Sequence, residues 1–495
     1  MPRTTNPSHF LAFDLGAESG RAVLGTLHGR KLGIHEVRRF PNTPRALAGH
    51  IHWNVYALFD EMKTAMREGA AALGARPESV GVDTWGVDFG LLAGNGDLLG
   101  LPFCYRDHRN IGAMEEYFKI VPRPALYEAT GIQFLPFNTL FQIYAMVRER
   151  SSLLDAAADL LFMPDLFNYL LTGKKAAEFT IATTSQILDP RTKAWIPGLF
   201  QAMGLSKRIL QDIIEPGTVI GPLTDDVIAE TGFRGVPVVA TAGHDTAAAV
   251  AAVPADGRNW AYISSGTWSL VGVEENAPII SPQSLESNFT NEGGVGGTIR
   301  FLKNVTGLWL VQGCRKEWAK AGPISYEDLV KAAAAAPAFA AFIDPDCPDF
   351  LNPPDMPEAL NDYCRKTGQK PPGSRAALVR VLLESLALKY RFVIDQLRLV
   401  LGHPIEKIHV IGGGSRNGLL CQFTANATGL PVVAGPAEAT AVGNILIQAM
   451  ALGQVSSLAE MRAIIRGSFD LRTYEPADTE AWDAAYVRFR DVLAA

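Results

Sequence analysis

Apolar residues recur along this chain with two periods, and the switches between them mark out the elements. Phe10-Leu-Ala-Phe-Asp-Leu-Gly16 is apolar but for Asp14 and predicts a buried strand. Ala17-Glu-Ser-Gly20 reads as a turn, and Arg21-Ala-Val-Leu-Gly-Thr-Leu27 as a second strand. From Trp53 to Ala72 the period lengthens, with Ala57, Phe59, Met62, Met66 and Ala70 at helical spacing. Val80 to Val82 is strand again. Asn138 to Met146 and Met163 to Leu171 read as helices packing the first half, with Asp165 complementing a helix dipole. Val219 onward returns to strand and leads into the buried run Val236-Pro-Val-Val-Ala240. After Asp245 the chain becomes Thr-Ala-Ala-Ala-Val-Ala-Ala, a helix of very small side chains.

Ala252-Val-Pro-Ala-Asp-Gly-Arg-Asn259 clusters turn formers between apolar segments and marks a domain boundary. Directly after it, Trp260 to Val273 is strand, turn and strand, the arrangement of the N-terminal hairpin repeated. Two such hairpins, each opening a domain, suggest an internal duplication whose halves clamp one nucleotide's phosphates. Asn291 to Gly297 is a Gly-rich loop, and Phe301 to Gln312 runs on from it into a helix. Residues 339–373, rich in Pro and Asp, read as a surface excursion. Ser374 caps a long helix with apolar positions 378, 381, 382, 386, 393, 397 and 400, stopped by Gly402. Ile408 to Gly418 is strand, triple glycine and helix, and Ala434 to Asn444 opens a last small-residue helix.

Composition narrows the function more than the fold. At 495 residues the chain exceeds what one hydrophobic core usually organises, so two or three domains are expected. A net charge of -6, with no basic cluster beyond a pair or triplet, disfavours nucleic acid. The polar start Met1 to His9 is no signal peptide, and the longest apolar stretches carry regular charges that argue against a membrane span. Five widely spaced cysteines without Cys-x-x-Cys read as thiols in a reducing cytoplasm, though Cys347 and Cys364 leave a pairing open.

His244 and Asp245 stand where a strand ends and a helix begins, the edge at which open α/β sheets bind ligands. Asp245 is open to two readings, a plain N-cap or a general base that accepts a hydroxyl proton. The first hairpin is either an ordinary turn or a nest of backbone N–H groups for phosphate, with Asp14 placed to hold Mg²⁺. Asp83, Trp85, Gly86 and Asp88 form either a sugar platform or a hairpin around a buried Trp. Tyr105-Arg-Asp-His-Arg109 reads as structural pairing. The triple glycine superficially suggests a dinucleotide fingerprint but lacks the acidic partner downstream; it offers either a tight turn or a flat bed for adenine.

Together these strings resemble the FGGY carbohydrate kinases. The likeness runs over roughly residues 9–475 and rests on Val82-Asp-Thr-Trp-Gly-Val-Asp-Phe89, Gly131 to Leu140, His244-Asp-Thr-Ala247, Ser264-Ser-Gly-Thr-Trp-Ser-Leu270 and Asn291-Glu-Gly-Gly294. It implies an α/β fold of two actin/hexokinase/Hsp70-like (ribonuclease H-like) domains, residues 8–252 and 259–475, each a five-stranded mixed sheet, with the active site in the cleft between them. Residues 476–495 form a C-terminal helical tail. The implied reaction transfers the γ-phosphate of MgATP to a ketose hydroxyl, with L-rhamnulose the nearest match and L-fuculose or L-xylulose as alternatives. An ATP-driven machine without a sugar, of the actin/Hsp70 type, is the reading from another class. By position, Asp245 matches the base, and Gly86, Trp85, His244, Thr246 and Asn304 match sugar contacts. Ala17, Glu18, Ser19, Gly20, Arg21, Thr267, Gln312 and Gly413 match ATP contacts, and Asp14 the acidic residue near Mg²⁺, acting through water. Glu18 departs from the small hydroxyl residue usual there. The expected partner is a small ketose, with neither nucleic acid nor membrane, in a cytoplasmic monomer or homodimer.

Overall fold

The computed structural model describes residues 6–351 and 353–494. Most of the stretch read above as free of a signal peptide, and the last residue of the expected tail, lie outside them. The described chain packs into two compact units. The first holds the residues up to Ala252 together with Glu274–Phe301 and Ala439–Ser468; the second holds Val253–Val273, Leu302–Glu438 and the residues from Phe469 onward. The units therefore do not follow the single cut expected near 252–259. Two later segments return to the first unit because their apolar faces are covered there.

The first unit is built on a six-stranded sheet, one strand more than the resemblance implies. Its order is Thr218–Pro222, Pro237–Ala240, Ser79–Thr84, Ser8–Leu15, Ser19–His28 and Lys31–Pro41. Ser8–Leu15 is antiparallel to Ser19–His28 and parallel to Ser79–Thr84, which is parallel to Pro237–Ala240. In the second unit, Trp260–Ser265 is antiparallel to Trp268–Glu275 and parallel to Lys407–Ile411; Val432–Ala434 continues parallel and Arg472–Tyr474 closes antiparallel. From each hairpin outward, the directions thus run antiparallel, parallel, parallel, antiparallel. The repeated hairpin in the sequence marks a repeated sheet.

Helix Val55–Leu73 shows why its sequence folds as it does. Asn54 caps it by accepting from the amide of Ala57, and Gly74 ends it at φ 63°, a left-handed conformation that suits glycine. Its buried positions Val55, Leu58, Met62, Ala65, Met66 and Gly69 form one stripe. That stripe joins Leu11, Phe13, Val80 and Val82 of the sheet in one core, and each fully buried large side chain contributes about 1.5–3 kcal/mol. Met62→Ala would open a cavity there at a cost of about 2–5 kcal/mol.

Two small-residue helices cover the other part of the sheet. Asp245–Ala251 and Ala439–Ala451 touch backbone to backbone, since a Cβ on Gly443 would overlap the carbonyl oxygen of Ala248. Two expectations need correction. Phe301 to Gln312 is not one helix: Ile299–Thr306 is a strand, and the helix runs Trp309–Trp318. Residues 339–373 are not a bare excursion either. They contain helix Met356–Lys366, and Asp344 and Asp346 pair with the buried Lys389 at 2.7 and 3.0 Å. No helix among the described residues is long and apolar enough to cross a membrane. The five cysteines are all free thiols, so Cys347 and Cys364 do not pair.

Candidate active site

Three parallel strands of the first unit bring its polar groups to one edge. Asp14 and Asp83 are register partners near the ends of Ser8–Leu15 and Ser79–Thr84. Thr84 bridges to His244 just beyond Pro237–Ala240, and the amide of Thr84 donates to the carbonyl of Gly243 at 2.9 Å. Glu178 holds the same loop from the other side, accepting from the amide of Gly243 at 2.9 Å and from the hydroxyl of Thr180 at 2.6 Å. Burial pushes Glu178 up to about 7 despite these donors. Asp165 stands in the first turn of helix Met163–Thr172, as expected, and is also buried, accepting from the amide of Glu178 at 3.1 Å. Burial and then Glu178 drive its carboxyl well above the usual range.

Asp245 is the first residue of the Asp245–Ala251 helix, and its side chain is 29% exposed. Its surroundings desolvate it and raise it above the usual carboxylate range, with His244 opposing and Asp14 adding to the rise. The hydroxyl of Thr246 donates to its Oδ1 at 3.1 Å, and Nε2 of His244 stands 3.5 Å away. A Cβ on Gly86 would sit 3.3 Å from that Nε2, so Gly86, His244 and Asp245 share one place. Thr246 is thus directed at Asp245.

The expected platform is assembled differently. Trp85 is only 4% exposed and offers almost no face to a sugar ring. It packs on Trp53 with ring centroids 4.3 Å apart, and both indoles donate to Asp88 Oδ2, at 2.9 and 2.6 Å. Gln142 and the amide of Tyr105 complete the cage around Asp88, yet burial still lifts it to about 6. Between them Val87 adopts φ 67°, a strained conformation for a β-branched residue that costs about 1–3 kcal/mol. Thr184 accepts from its amide and Thr139 donates to its carbonyl, which holds the turn and so the position of Gly86. Asp107 likewise proves structural: it accepts from the amides of Arg109 and Ile51 and lies 3.1 Å from His50 Nδ1.

Asp14 does not stand alone. Arg21, its neighbour across the hairpin, donates to Asp14 Oδ2 from Nε at 2.8 Å and from Nη2 at 2.6 Å. Asp83 is fully buried; its Oδ2 accepts from Asn444 at 2.6 Å and its Oδ1 has no hydrogen-bond partner among the described residues. Desolvation first, then Asp14 and Asp245, raise Asp83 well above its usual range. Asp14, Asp83 and Asp245 thus bear on one another's ionisation across the strand ends, and Arg21 is the guanidinium paired with Asp14. At the hairpin tip, Asn42 donates to the carbonyls of Gly16 and Glu18, while the Glu18 side chain is exposed. Gly20 has no room for a side chain, because a Cβ would run into the ring of Phe40.

The second unit carries the other expected positions. Thr267 lies at the tip of the second hairpin, where the amides of Gly307 and Trp309 donate to its carbonyl at 3.1 and 3.2 Å. Gln312 sits on helix Trp309–Trp318, and its buried Oε1 has no hydrogen-bond partner among the described residues. The triple glycine follows strand Lys407–Ile411. Gly412 turns at φ 79°, a Cβ on Gly414 would overlap Ser265, and a Cβ on Gly413 would meet nothing within 4 Å. Asn304 lies on strand Ile299–Thr306, within the second unit.

Sequence reasoning passed over Glu292 and Arg300, which flank His244. Nη2 of Arg300 lies 3.1 Å from Glu292 Oε2 and 3.2 Å from His244 Nδ1. Burial works against ionised Glu292, but the charge of Arg300 is the chief opposing influence and the carboxyl lies below its usual range. The missed signal was a charged pair in an otherwise small and apolar stretch, 289–302.

Known proteins resemble this chain over nearly its whole length. The FGGY family of carbohydrate kinases matches with its N-terminal domain over residues 9–252 and with its C-terminal domain over 261–452. A rhamnulokinase from Bacteroides thetaiotaomicron is 49% identical over 485 residues, covering 98% of this chain and 99% of that relative. One from Pectobacterium carotovorum is 44% identical, covering 97% and 96%. Among solved structures, a gluconate kinase from Lactobacillus acidophilus shares the fold with a TM-score of 0.81 at 15% identity, covering 98% of both chains. With both family domains matched and relatives alike from end to end, the chain belongs to the FGGY family of carbohydrate kinases.

Proposed function

We propose that the protein phosphorylates L-rhamnulose with MgATP to give L-rhamnulose 1-phosphate, in rhamnose catabolism in the cytoplasm. The observation that carries this is Asp245, a desolvated carboxyl beside His244 and Gly86 at the sheet edge, within a chain alike from end to end to proteins named rhamnulokinase. Asp245 takes the proton of the 1-hydroxyl as that oxygen attacks the γ-phosphorus. A carboxyl raised above the ordinary aspartate range is a stronger base than a surface aspartate, which suits the task. Thr246 orients Asp245, and Gly86, His244 and Asn304 contact the sugar. The region 8–252 supplies the sugar contacts other than Asn304, and 259–475 supplies Thr267, Gln312 and Gly413 to the nucleotide. Ala17, Ser19, Gly20 and Arg21 line the phosphates, with the exposed Glu18 side chain turned to solvent. Asp14 would hold Mg²⁺ through water, and the ion would neutralise phosphate charge. Five free thiols fit a reducing compartment.

The test is coupled-assay ADP release over a panel of ketoses. L-rhamnulose is expected to give the highest kcat/KM, above L-fuculose, L-xylulose and D-xylulose. A higher kcat/KM with D-xylulose or glycerol overturns the substrate assignment.

A further inference from the structure

His244 is approached from two sides. Its Nε2 faces Asp245 Oδ1 at 3.5 Å and the open position above Gly86. Its Nδ1 lies 3.2 Å from Arg300 Nη2 and 3.3 Å from Glu292 Oε2. Arg300 is wholly buried, and its Nε donates to the carbonyl of Gly293 at 2.8 Å, so protein contacts alone set the guanidinium's orientation.

A guanidinium has five N–H donors and no acceptor. Were the ring proton on Nδ1, two N–H groups would confront each other at 3.2 Å. With Nδ1 unprotonated, the same contact becomes a hydrogen bond donated by Arg300. The contact has hydrogen-bond geometry, whereas Glu292 Oε2, although as near to Arg300 Nη2 and His244 Nδ1, lies outside hydrogen-bond geometry with both. Glu292 then serves to balance the buried charge of Arg300, which would otherwise be strongly unfavourable. The ring proton belongs on Nε2, toward Asp245 and Gly86.

We propose that Arg300, neutralised by Glu292, fixes His244 as the Nε2–H tautomer, so that His244 can only donate to the sugar and Asp245 is left as the sole proton acceptor. Arg300 and Glu292 are positioning residues, since they act through His244. A fixed donor also sorts substrates: it rewards an oxygen lone pair at that point of the sugar and rejects an analogue lacking it, because a buried N–H without a partner is costly. This rests on the assignment of His244 and Asp245 to the sugar site.

The experiment is long-range ¹H–¹⁵N correlation on the full chain labelled in its histidine rings, without ligands. His244→Gln identifies the signals of His244 among the nine histidines. At neutral pH the expected pattern is an unprotonated Nδ1 and a protonated Nε2; the reverse pattern overturns the inference, and the unmutated protein suffices to decide it. Arg300→Met, checked for folding by its melting curve, should shift the proton toward Nδ1 and lower kcat roughly 10–100-fold, the usual weight of a partner that orients a functional imidazole. The KM for ATP should not move. Arg300→Lys should restore the Nε2–H tautomer and part of the rate. A folded Arg300→Met protein with unchanged tautomer or unchanged kcat removes the positioning role. Failure of the sugar-site assignment looks different: Asp245→Asn would then retain its rate whatever the tautomer of His244.

Discussion

The hairpin Ser8–His28 and the hairpin Trp260–Glu275 are the same backbone device with opposite electrostatics. In both, the carbonyls at the tip are held from outside, by Asn42 in the first and by the amides of Gly307, Leu308 and Trp309 in the second. Across the first, Asp14 faces Arg21; across the second, Ser265 faces Ser269 and Ser264 faces Leu270. The difference extends to the surroundings. The first unit gathers Asp14, Asp83, Asp245, Glu292 and Arg300 near its strand ends, whereas the second offers Thr267, Gln312 and glycines at the corresponding places. Proton removal needs groups whose charge responds to their surroundings. Polyphosphate binding needs backbone and shape. A duplicated frame therefore has a titrating half, which carries the proposed base and shares the phosphates, and a half whose proposed nucleotide contacts are neutral.

The largest effect expected from this division is at Asp245. Asp245→Asn should fold normally and keep its KM for ATP while kcat falls roughly 10²–10⁴-fold, the weight of a general base. An unchanged kcat in the folded variant would break the comparison at its centre. In the intact enzyme, the raised carboxyl of Asp245 should place the acid limb of kcat/KM above the range of an ordinary aspartate, with activity lost as pH falls through it.

A second measure of the titrating half is stability against pH. Glu178 stands near 4.5 when unfolded and about 7 when folded. The folded state binds the extra proton, so its contribution is fully present below about 4.5 and disappears as pH rises through about 7. The whole change is on the order of 3 kcal/mol. Urea midpoints of the intact protein and Glu178→Gln should therefore diverge across that window, the intact protein losing more stability as pH rises. Parallel curves would show that Glu178 does not titrate there.

The neutral half is sharpened by two adjacent glycines. Gly414→Ala should cost about 1–3 kcal/mol of stability because its Cβ would overlap Ser265. Gly413→Ala meets no protein atom and should leave stability within about 0.5 kcal/mol. It should raise the KM for ATP with little change in kcat. If the two variants behave alike, the glycines serve packing only and the nucleotide lies elsewhere.

Much of this was legible along the chain because local chemistry decides it. Ser374 does cap Arg375–Val400, since a cap needs only its own neighbours. The change from strand to small-residue helix located His244 and Asp245. What stayed hidden depends on residues far apart in sequence. Trp85 read equally as platform or core until Trp53 and Gln142 were seen around Asp88. Glu292 and Arg300 lay in a segment read as a flexible loop running into a helix, and strand pairing, which is non-local, decided otherwise.

The return of Ala439–Ser468 to the first unit bears on synthesis. When the ribosome has released the residues up to Ala252, Gly25 still lacks Ile445, Gly81 still lacks Asn444 and Gln448, and the Asp245 helix lacks Gly443. The half that carries the base is thus the first to emerge and among the last to close. A fragment ending at 252 leaves an apolar sheet face uncovered, and the nascent chain carries that face through translation of nearly all of the second unit. The half that carries the base therefore waits for the helix Ala439–Ala451 long after its own strands have been made.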